Sequence, residues 1–187
     1  VVYLPDDTQF NESFATAVER LGASQWMASQ GNETMRLEYA NLQARRTQFR
    51  ALTQDTRRVL QDIYDRYDQS LLIDAMALEA KRDAMQRFKT QYELLKEQWR
   101  RLPGITDTQV GAYDKWVANA NNASLGAQAA YDDWAPHFEA LYWQASCDAP
   151  GSAGWRRFFA EVKRLRALTP SDRKAAMHEY RDASGVR

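Results

Sequence analysis

The chain of 187 residues carries 25 basic and 25 acidic side chains, and its hydrophobic content of 44% is ordinary for a globular protein. This balance shows no overall basic excess that would point to nucleic acid or to an anionic membrane surface. No stretch approaches the roughly 20 apolar residues that a transmembrane helix requires. The single cysteine, Cys147, excludes an intramolecular disulfide and a four-cysteine zinc site.

The first predicted helix follows an apolar, β-prone stretch at residues 1–5. Residue types that cap helices at positions 6–8 precede apolar residues at helical spacing, namely Phe10, Phe14, Ala17 and Leu21. The pattern predicts a helix from about Thr8 to Leu21 that ends at Gly22. A second short helical stretch is predicted from Ser24 to Ser29.

Residues 32–102 contain neither glycine nor proline. As one straight helix this segment would extend about 105 Å at 1.5 Å per residue. A compact chain of this size has a radius of gyration of only about 16 Å. The segment is therefore predicted to form two long antiparallel helices joined by a turn at residues 68–70.

Further amphipathic helices are predicted after Pro103. They pass through Tyr113 and Trp116, through residues 131–142, through residues 155–165, and from Pro170 to about Arg181. We expect an all-α fold, a helical bundle with a long antiparallel helical hairpin arm. Its predicted segments are 1–31, a metal-site helix region, 32–102, the hairpin, and 103–187, a C-terminal bundle.

Two acidic residues of the first helix are candidates for metal chemistry. Glu12 and Glu19 lie seven residues apart and so share a helix face, beside the face that carries the phenylalanines. A carboxylate next to a buried aromatic stripe needs a partner, and a metal ion is one such partner. The alternative from periodicity alone is that both belong to the solvated face.

The residues around Glu12 resemble a known motif. Asn11-Glu12-x-Phe14-Ala15-x-x-Val18-Glu19 is similar to the second metal-binding helix of gluzincin peptidases. The wider run from Tyr3 to Ala15 resembles the bacterial predicted-aminopeptidase family of zinc lipoproteins. Weaker similarity appears at residues 121–123 and 125–138, so the resemblance covers most of the chain, with its specific part at residues 3–19.

The resemblance implies a zinc site and a set of roles. Glu12 would be the carboxylate ligand of zinc, and a His-Glu-x-x-His helix would supply the other ligands and the general base. Asp7, Asn11 and Glu19 would support these ligands through hydrogen bonds. The reaction implied is peptide hydrolysis by metal-activated water.

No His-Glu-x-x-His segment occurs in these 187 residues. His137 and His178 lie 41 positions apart, and we interpret both as structural histidines rather than ligands. The chain opens on valine instead of methionine, which we take as a sign of absent upstream sequence, although a trimmed chain would look the same. The fragment alone is expected to bind zinc poorly and to cleave nothing.

Three further polar residues have roles in the resemblance and ordinary alternatives. Tyr131 would stabilise the oxyanion, but a tyrosine near Trp134 and Phe138 is more often a core residue. Asn121 and Asn122 would bind the peptide substrate, but an asparagine pair between small residues also caps helices. The arginine pairs at 45–46, 57–58 and 100–101 alternate with acids and are interpreted as a solvated face.

Two functions are compatible with these features. The first is a zinc-dependent aminopeptidase whose partners are a peptide substrate and its own missing N-terminal part, and which has no nucleic-acid partner. The resemblance places it in the periplasm or at a membrane, as a lipoprotein held by a lipid anchor that this chain lacks. The second is a helical module without enzymatic activity, whose hairpin at 32–102 binds a partner protein.

Overall fold

A computed structural model describes residues 2–132, 134–147 and 151–184, without the side chains of residues 129–132 and 181–184. The regular elements in these ranges are all α-helices, which confirms the all-α class. None of the described helices is both long and apolar enough to cross a membrane.

The chain divides into two compact units, and its described structure consists of helices. In chain order the described ones are α1 (Thr8–Gln30), α2 (Glu33–Asp68), α3 (Asp74–Trp99), α4 (Asp107–Val110), α5 (Asp114–Ala118), α6 (Asn122–Asp132), α7 (Ala135–Ser146), α8 (Ser152–Arg166) and α9 (Pro170–Ser184). Unit 1 comprises Val1–Trp26 with Gln128–Arg187, and unit 2 comprises Met27–Ala127. The sequence pattern predicts segment boundaries at residues 31 and 102, and these boundaries stay a prediction.

Helix α1 is longer than its sequence indicates. It continues through Gly22 to Gln30, so the predicted end at Gly22 is wrong and residues 24–29 belong to the same helix. A glycine inside a helix costs only about 1 kcal/mol, which the burial of the helix's apolar face offsets. The helix ends before Gly31, where a Cβ atom would lie 2.6 Å from the carbonyl oxygen of Met27.

The core of unit 1 is built from aromatic side chains of α1, α7 and α8. Phe10 meets Phe138 edge to face at 5.2 Å between ring centroids, and Phe14 stacks on Phe158 at 6.0 Å. Helix α7 packs against both α8 and α9. The fully or nearly fully buried members of this core are Phe10, Ala17, Leu21, Phe138, Leu141, Tyr142, Phe158, Val162, Leu165 and Met177.

In unit 2, helices α2 and α3 pack against each other in antiparallel orientation. Near their connection, Tyr67 Oη donates to Asp74 Oδ1 at 2.8 Å. At the opposite end, Trp99 Nε1 donates to Gln48 Oε1 at 2.6 Å. The connection occupies residues 69–73, and Ser70 adopts a left-handed conformation with φ of 59°. The buried residues here include Phe49, Leu60, Ile63, Ala84, Phe88, Tyr92, Trp99, Val110, Val117 and Leu125.

Two predicted helices are each divided in the structure. The one predicted through Tyr113 and Trp116 is the short pair α4 and α5, because Thr106 and Gln109 form a capping box at α4 and Gly111 follows it. The one predicted through residues 131–142 is α6 and α7. Pro136 explains the second break, since proline is tolerated in the first turn of a helix but not in its interior.

Arg45 corrects the interpretation of the arginine pairs as solvated. Its side chain is only 4% exposed. Its Nη1 atom donates to the Gln109 carbonyl at 2.7 Å, and its Nε atom donates to the Asn41 carbonyl at 3.3 Å. Burial lowers the pKa of the guanidinium from its ordinary value. Arg45 therefore ties α2 to α4 through backbone acceptors.

Adjacent phenylalanines of α8 provide a matched test of the unit 1 core. Phe158 is fully buried whereas Phe159 is 36% exposed. Phe158→Ala should lower the free energy of unfolding by about 3–5 kcal/mol, because it leaves a cavity among packed rings. Phe159→Ala should cost about 1 kcal/mol. Urea unfolding followed by circular dichroism measures both, and equal losses would contradict this assignment of the core.

Candidate functional site

The first turn of α1 is fastened by two of the predicted site residues. Asp7 Oδ1 accepts a hydrogen bond from the Phe10 backbone N–H at 2.9 Å, the bond expected of an N-cap residue. Asn11 Nδ2 donates to the Leu4 carbonyl at 2.7 Å, and its Oδ1 accepts from the Leu4 N–H at 2.9 Å. The side chain of Asn11 thus holds the residues before the helix against its first turn.

The second oxygen of Asp7 meets a buried charge from α9. Arg173 is 3% exposed, and its Nη1 atom lies 3.0 Å from Asp7 Oδ2. The same guanidinium donates from Nη2 to the Leu168 carbonyl at 3.1 Å and lies 5.4 Å from the centre of the Phe10 ring. Sequence reasoning missed Arg173, since nothing in the charged pattern of α9 distinguishes it from its exposed neighbours.

The predicted zinc ligand lies in the same stretch of α1. Glu12 is half-buried, between Phe10 and Phe14, which pack into the core. The next residue, Ser13, is fully buried, and its Oγ accepts from the Trp134 backbone N–H at 3.4 Å. Glu19 lies two turns further along the helix and is exposed. The continuous helix therefore keeps the two carboxylates on one face, as their spacing predicts.

The described residues do not complete a zinc site. No group of three or more His, Cys, Asp or Glu side chains within residues 2–132, 134–147 and 151–184, side chains at 129–132 and 181–184 apart, could hold a metal ion. A catalytic zinc takes three protein ligands and keeps one position open. Among the residues proposed as ligands, this chain therefore offers a single carboxylate, that of Glu12.

The packing of α7 against α9 brings together the two histidines that lie far apart in sequence. The rings of His137 and His178 meet nearly at right angles, with centroids 5.8 Å apart. His137 is buried and His178 is exposed. The contact was not visible in the sequence, because it depends on how α7 and α9 are rotated about their own axes.

The remaining predicted site residues divide between the units. Asn121, in unit 2, caps α6, since its Oδ1 accepts from the Ser124 N–H at 3.0 Å. Asn122 Nδ2 is hydrogen-bonded to the hydroxyl of Tyr64. Tyr131 lies in α6 within unit 1, and its side chain is outside the described part of the chain. Its role as the oxyanion donor stays a prediction.

A polar cluster in unit 2 was not expected from the sequence. Tyr92 Oη donates to Asp114 Oδ1 at 2.8 Å, and Lys96 Nζ approaches the same oxygen at 2.9 Å. Glu93 lies 3.3 Å from the same ammonium group. These four residues line an open groove of about 310 Å³ between α3 and α5.

The cluster shifts the titration of its members in the directions that the contacts require. The hydrogen bonds from Lys96 and then Tyr92 lower the pKa of Asp114 from its usual value. The hydrogen bond to Asp114 raises the pKa of Lys96. Burial, and then the hydrogen bond to Asp114, raise the pKa of Tyr92. Each shift favours a neutral phenol between a carboxylate and an ammonium group.

The protein is all-α, and Asp7 and Asn11 hold the start of its first helix in place. That helix carries the candidate carboxylate ligand, Glu12. A family model described as "Putative aminopeptidase" matches residues 1–177. The chain belongs to this family, as the motif around Glu12 predicts. No curated protein and no solved structure gives a match in the same comparisons.

Two variants of Asp7 separate its roles as the N-cap of α1 and as the ion-pair partner of Arg173. Asp7→Asn retains a capping oxygen but removes the charge, and should cost about 2–4 kcal/mol because Arg173 stays buried without its anion. Asp7→Ala should cost about 1 kcal/mol more through loss of the cap. Urea unfolding gives both values.

Asp6→Asn is the matched control, since Asp6 is exposed and its φ of 64° suits asparagine. A loss for Asp6→Asn equal to that of Asp7→Asn would show that Arg173 does not depend on Asp7.

Asp114 should contribute to stability in a pH-dependent way. Because its folded-state pKa is lowered, its contribution is present above the unfolded value of about 4 and is lost as the pH falls through the folded value. Asp114→Asn should therefore flatten the decline of the melting temperature in this acid range. Asp83→Asn, an exposed change on α3, should leave the decline unaltered. Parallel curves for wild type and Asp114→Asn would contradict the assignment.

Proposed function

We propose that this protein is a zinc-dependent aminopeptidase, which removes the first residue of a peptide substrate. The observation that carries the proposal is Glu12. It is a half-buried carboxylate on α1, in the motif Asn-Glu-x-Phe-Ala, in a chain that belongs to this family. Membership in the family supports the peptidase, and the position of Glu12 supports the metal.

In this proposal Glu12 supplies one zinc ligand and the remaining ligands come from outside these 187 residues. The two histidines are the only ones in the chain, and neither belongs to a His-Glu-x-x-His segment. The proposal further assigns the protein to the periplasm or to a membrane-anchored lipoprotein, which rests on the resemblance alone.

The hydrogen bonds of the supporting residues refine their proposed roles. Both oxygens of Asp7 and both polar atoms of the Asn11 side chain are engaged within unit 1. They would act on the site by fixing the first turns of α1, and with them the direction of Glu12. Glu19 is exposed and would be the acceptor for a ligand histidine. Asn122 would contact substrate through its amide oxygen, since its Nδ2 atom is hydrogen-bonded to Tyr64, while Asn121 holds the start of α6.

The test compares zinc and activity in two chains. The 187-residue chain should contain far less than one zinc per molecule by mass spectrometry and should not release the chromophore from aminoacyl nitroanilides. A longer natural chain that includes a His-Glu-x-x-His helix should do both, and Glu12→Gln in it should lower the bound zinc. Glu79→Gln, an exposed change on α3, is the control. Stoichiometric zinc with peptidase activity in the 187-residue chain would overturn the proposal of an incomplete site.

A second candidate function is a helical interaction module, and an exposed apolar surface in unit 2 favours it. Around the connection of α2 and α3, Leu71, Ile73 and Met76 are 63%, 66% and 52% exposed. Isolated apolar side chains at a surface are normal, whereas contiguous apolar patches mark protein contacts. These three lie within six residues of one another, at the same end of α3. The two functions are compatible in one protein.

The coding sequence upstream of Val1 distinguishes the two candidates. A His-Glu-x-x-His segment there would supply the missing ligands and support the peptidase. Its absence would leave the interaction module as the better account of this chain.

A further inference from the structure

Helix α8 carries a concentration of basic side chains, although the chain as a whole has no net charge. Between residues 155 and 167 the sequence contains five basic side chains and one acidic side chain. Glu161 pairs with Arg164, with Nη2 and Oε1 2.6 Å apart, and accepts a second hydrogen bond from Tyr180 Oη. The other four cations are exposed, namely Arg156, Arg157, Lys163 and Arg166.

The opposite face of α8 fixes the direction of these cations. Phe158, Val162 and Leu165 are fully buried in the core of unit 1. A helix held by its apolar face cannot rotate to hide its basic face. The charges are thus presented as a fixed array toward solvent, and no folding step is needed to form it.

An aromatic side chain lies within this basic array. Arg156, Phe159, Lys163 and Arg166 are spaced by three, four and three residues, so they form one stripe along the helix surface. Phe159 is 36% exposed. Its ring stacks on Trp155, with centroids 5.7 Å apart.

Ring contacts connect α8 to α7 through the buried Tyr142. Trp155 contacts Tyr142 at 4.6 Å between ring centroids, and Tyr142 contacts Trp143 at 5.4 Å. Trp143 is 60% exposed. Exposed rings therefore occur both inside the basic stripe and at the end of a chain of ring contacts that starts from it.

We propose that the exposed face of α8, with Phe159 within its basic stripe, is a peripheral contact surface for an anionic phospholipid bilayer. Basic side chains are attracted to the negative surface potential of such a membrane. Lysine and arginine can lay their apolar stems on it while their charges meet phosphate groups. Aromatic rings favour the headgroup region, where one side is apolar and the other is wet.

The shape of the surface favours a bilayer over a nucleic acid. Proteins that bind single strands combine charge with aromatic rings inside grooves that follow the strand. Here Arg156, Lys163 and Arg166 lie on the solvent-facing side of one helix, opposite Phe158, Val162 and Leu165. A planar layer of lipid headgroups can reach these three cations together.

Vesicle flotation with the full chain tests the proposal. The protein should bind vesicles of phosphatidylcholine mixed with phosphatidylglycerol, should not bind vesicles of phosphatidylcholine alone, and should dissociate at high salt. Reversing two charges, with Lys163→Glu and Arg166→Glu together, should lower the partition coefficient about tenfold or more. Phe159→Ser should also weaken binding, and its effect should persist as the salt concentration rises.

The matched control reverses two exposed charges of α3, Arg82→Glu and Arg87→Glu, which change the net charge equally. These changes should leave vesicle binding within about twofold of wild type, since they lie outside the proposed surface. Circular dichroism and thermal melting verify that all variants remain folded.

Four outcomes would overturn the proposal. The first is binding that does not depend on phosphatidylglycerol, and the second is an equal loss of vesicle binding in the α8 and α3 variants. The third is competition by free glycerol phosphate at low concentration, which would indicate a headgroup pocket. The fourth is binding of duplex DNA that depends on Lys163 and Arg166 when vesicle binding does not, which would assign the face to a nucleic acid.

Discussion

The buried guanidinium of Arg173 is the constraint on which the ordered start of unit 1 depends. A positive charge removed from water is expensive unless an anion and further acceptors meet it. Asp7, 166 positions away in sequence, supplies the anion, and the Leu168 carbonyl supplies an acceptor. Because Asp7 also caps α1, a single carboxylate positions the helix that carries Glu12 and neutralises a charge of α9.

This double use of Asp7 affects how any mutation near the candidate site should be interpreted. A loss of activity on changing Asp7 could arise from a displaced Glu12 or from an unpaired Arg173, and activity alone does not separate them. Stability does, because the cap and the ion pair contribute separately to unfolding. Asn11 is similar, since its side chain is bound to the backbone of Leu4 on both atoms. Asp7 and Asn11, two of the residues that the motif associates with a metal, therefore order the first turns of α1 within this chain.

Much of the fold could be predicted from the sequence because helical periodicity is a local property. The Gly- and Pro-free stretch and the proline at position 170 predicted helices close to those observed. Errors occurred where tertiary packing opposes a local signal. Gly22 did not end α1. Arg45 is buried despite its charge, because one backbone carbonyl of α2 and one of α4 accept hydrogen bonds from it.

The candidate site was less predictable for a related reason. The identity of the residues around Glu12 indicates the family, which the match to residues 1–177 shows. Spacing, by contrast, could not indicate the contact of His137 with His178 or the Tyr92–Asp114–Lys96 cluster. These depend on the rotation of one helix against another, and no regular interval in the sequence encodes it.

The net charge of the chain likewise does not indicate how its charges are arranged in space. Equal numbers of acids and bases exclude a generally basic protein, so the composition alone does not indicate an anionic partner. A helix buried along one side nevertheless sends all its polar residues to the other side. In α8 those residues are nearly all basic. Burial of Phe158, Val162 and Leu165 therefore places several positive charges on one surface, although the net charge of the chain is zero. The packing of the core therefore determines the electrostatic character of this surface, although Phe158, Val162 and Leu165 carry no charge themselves.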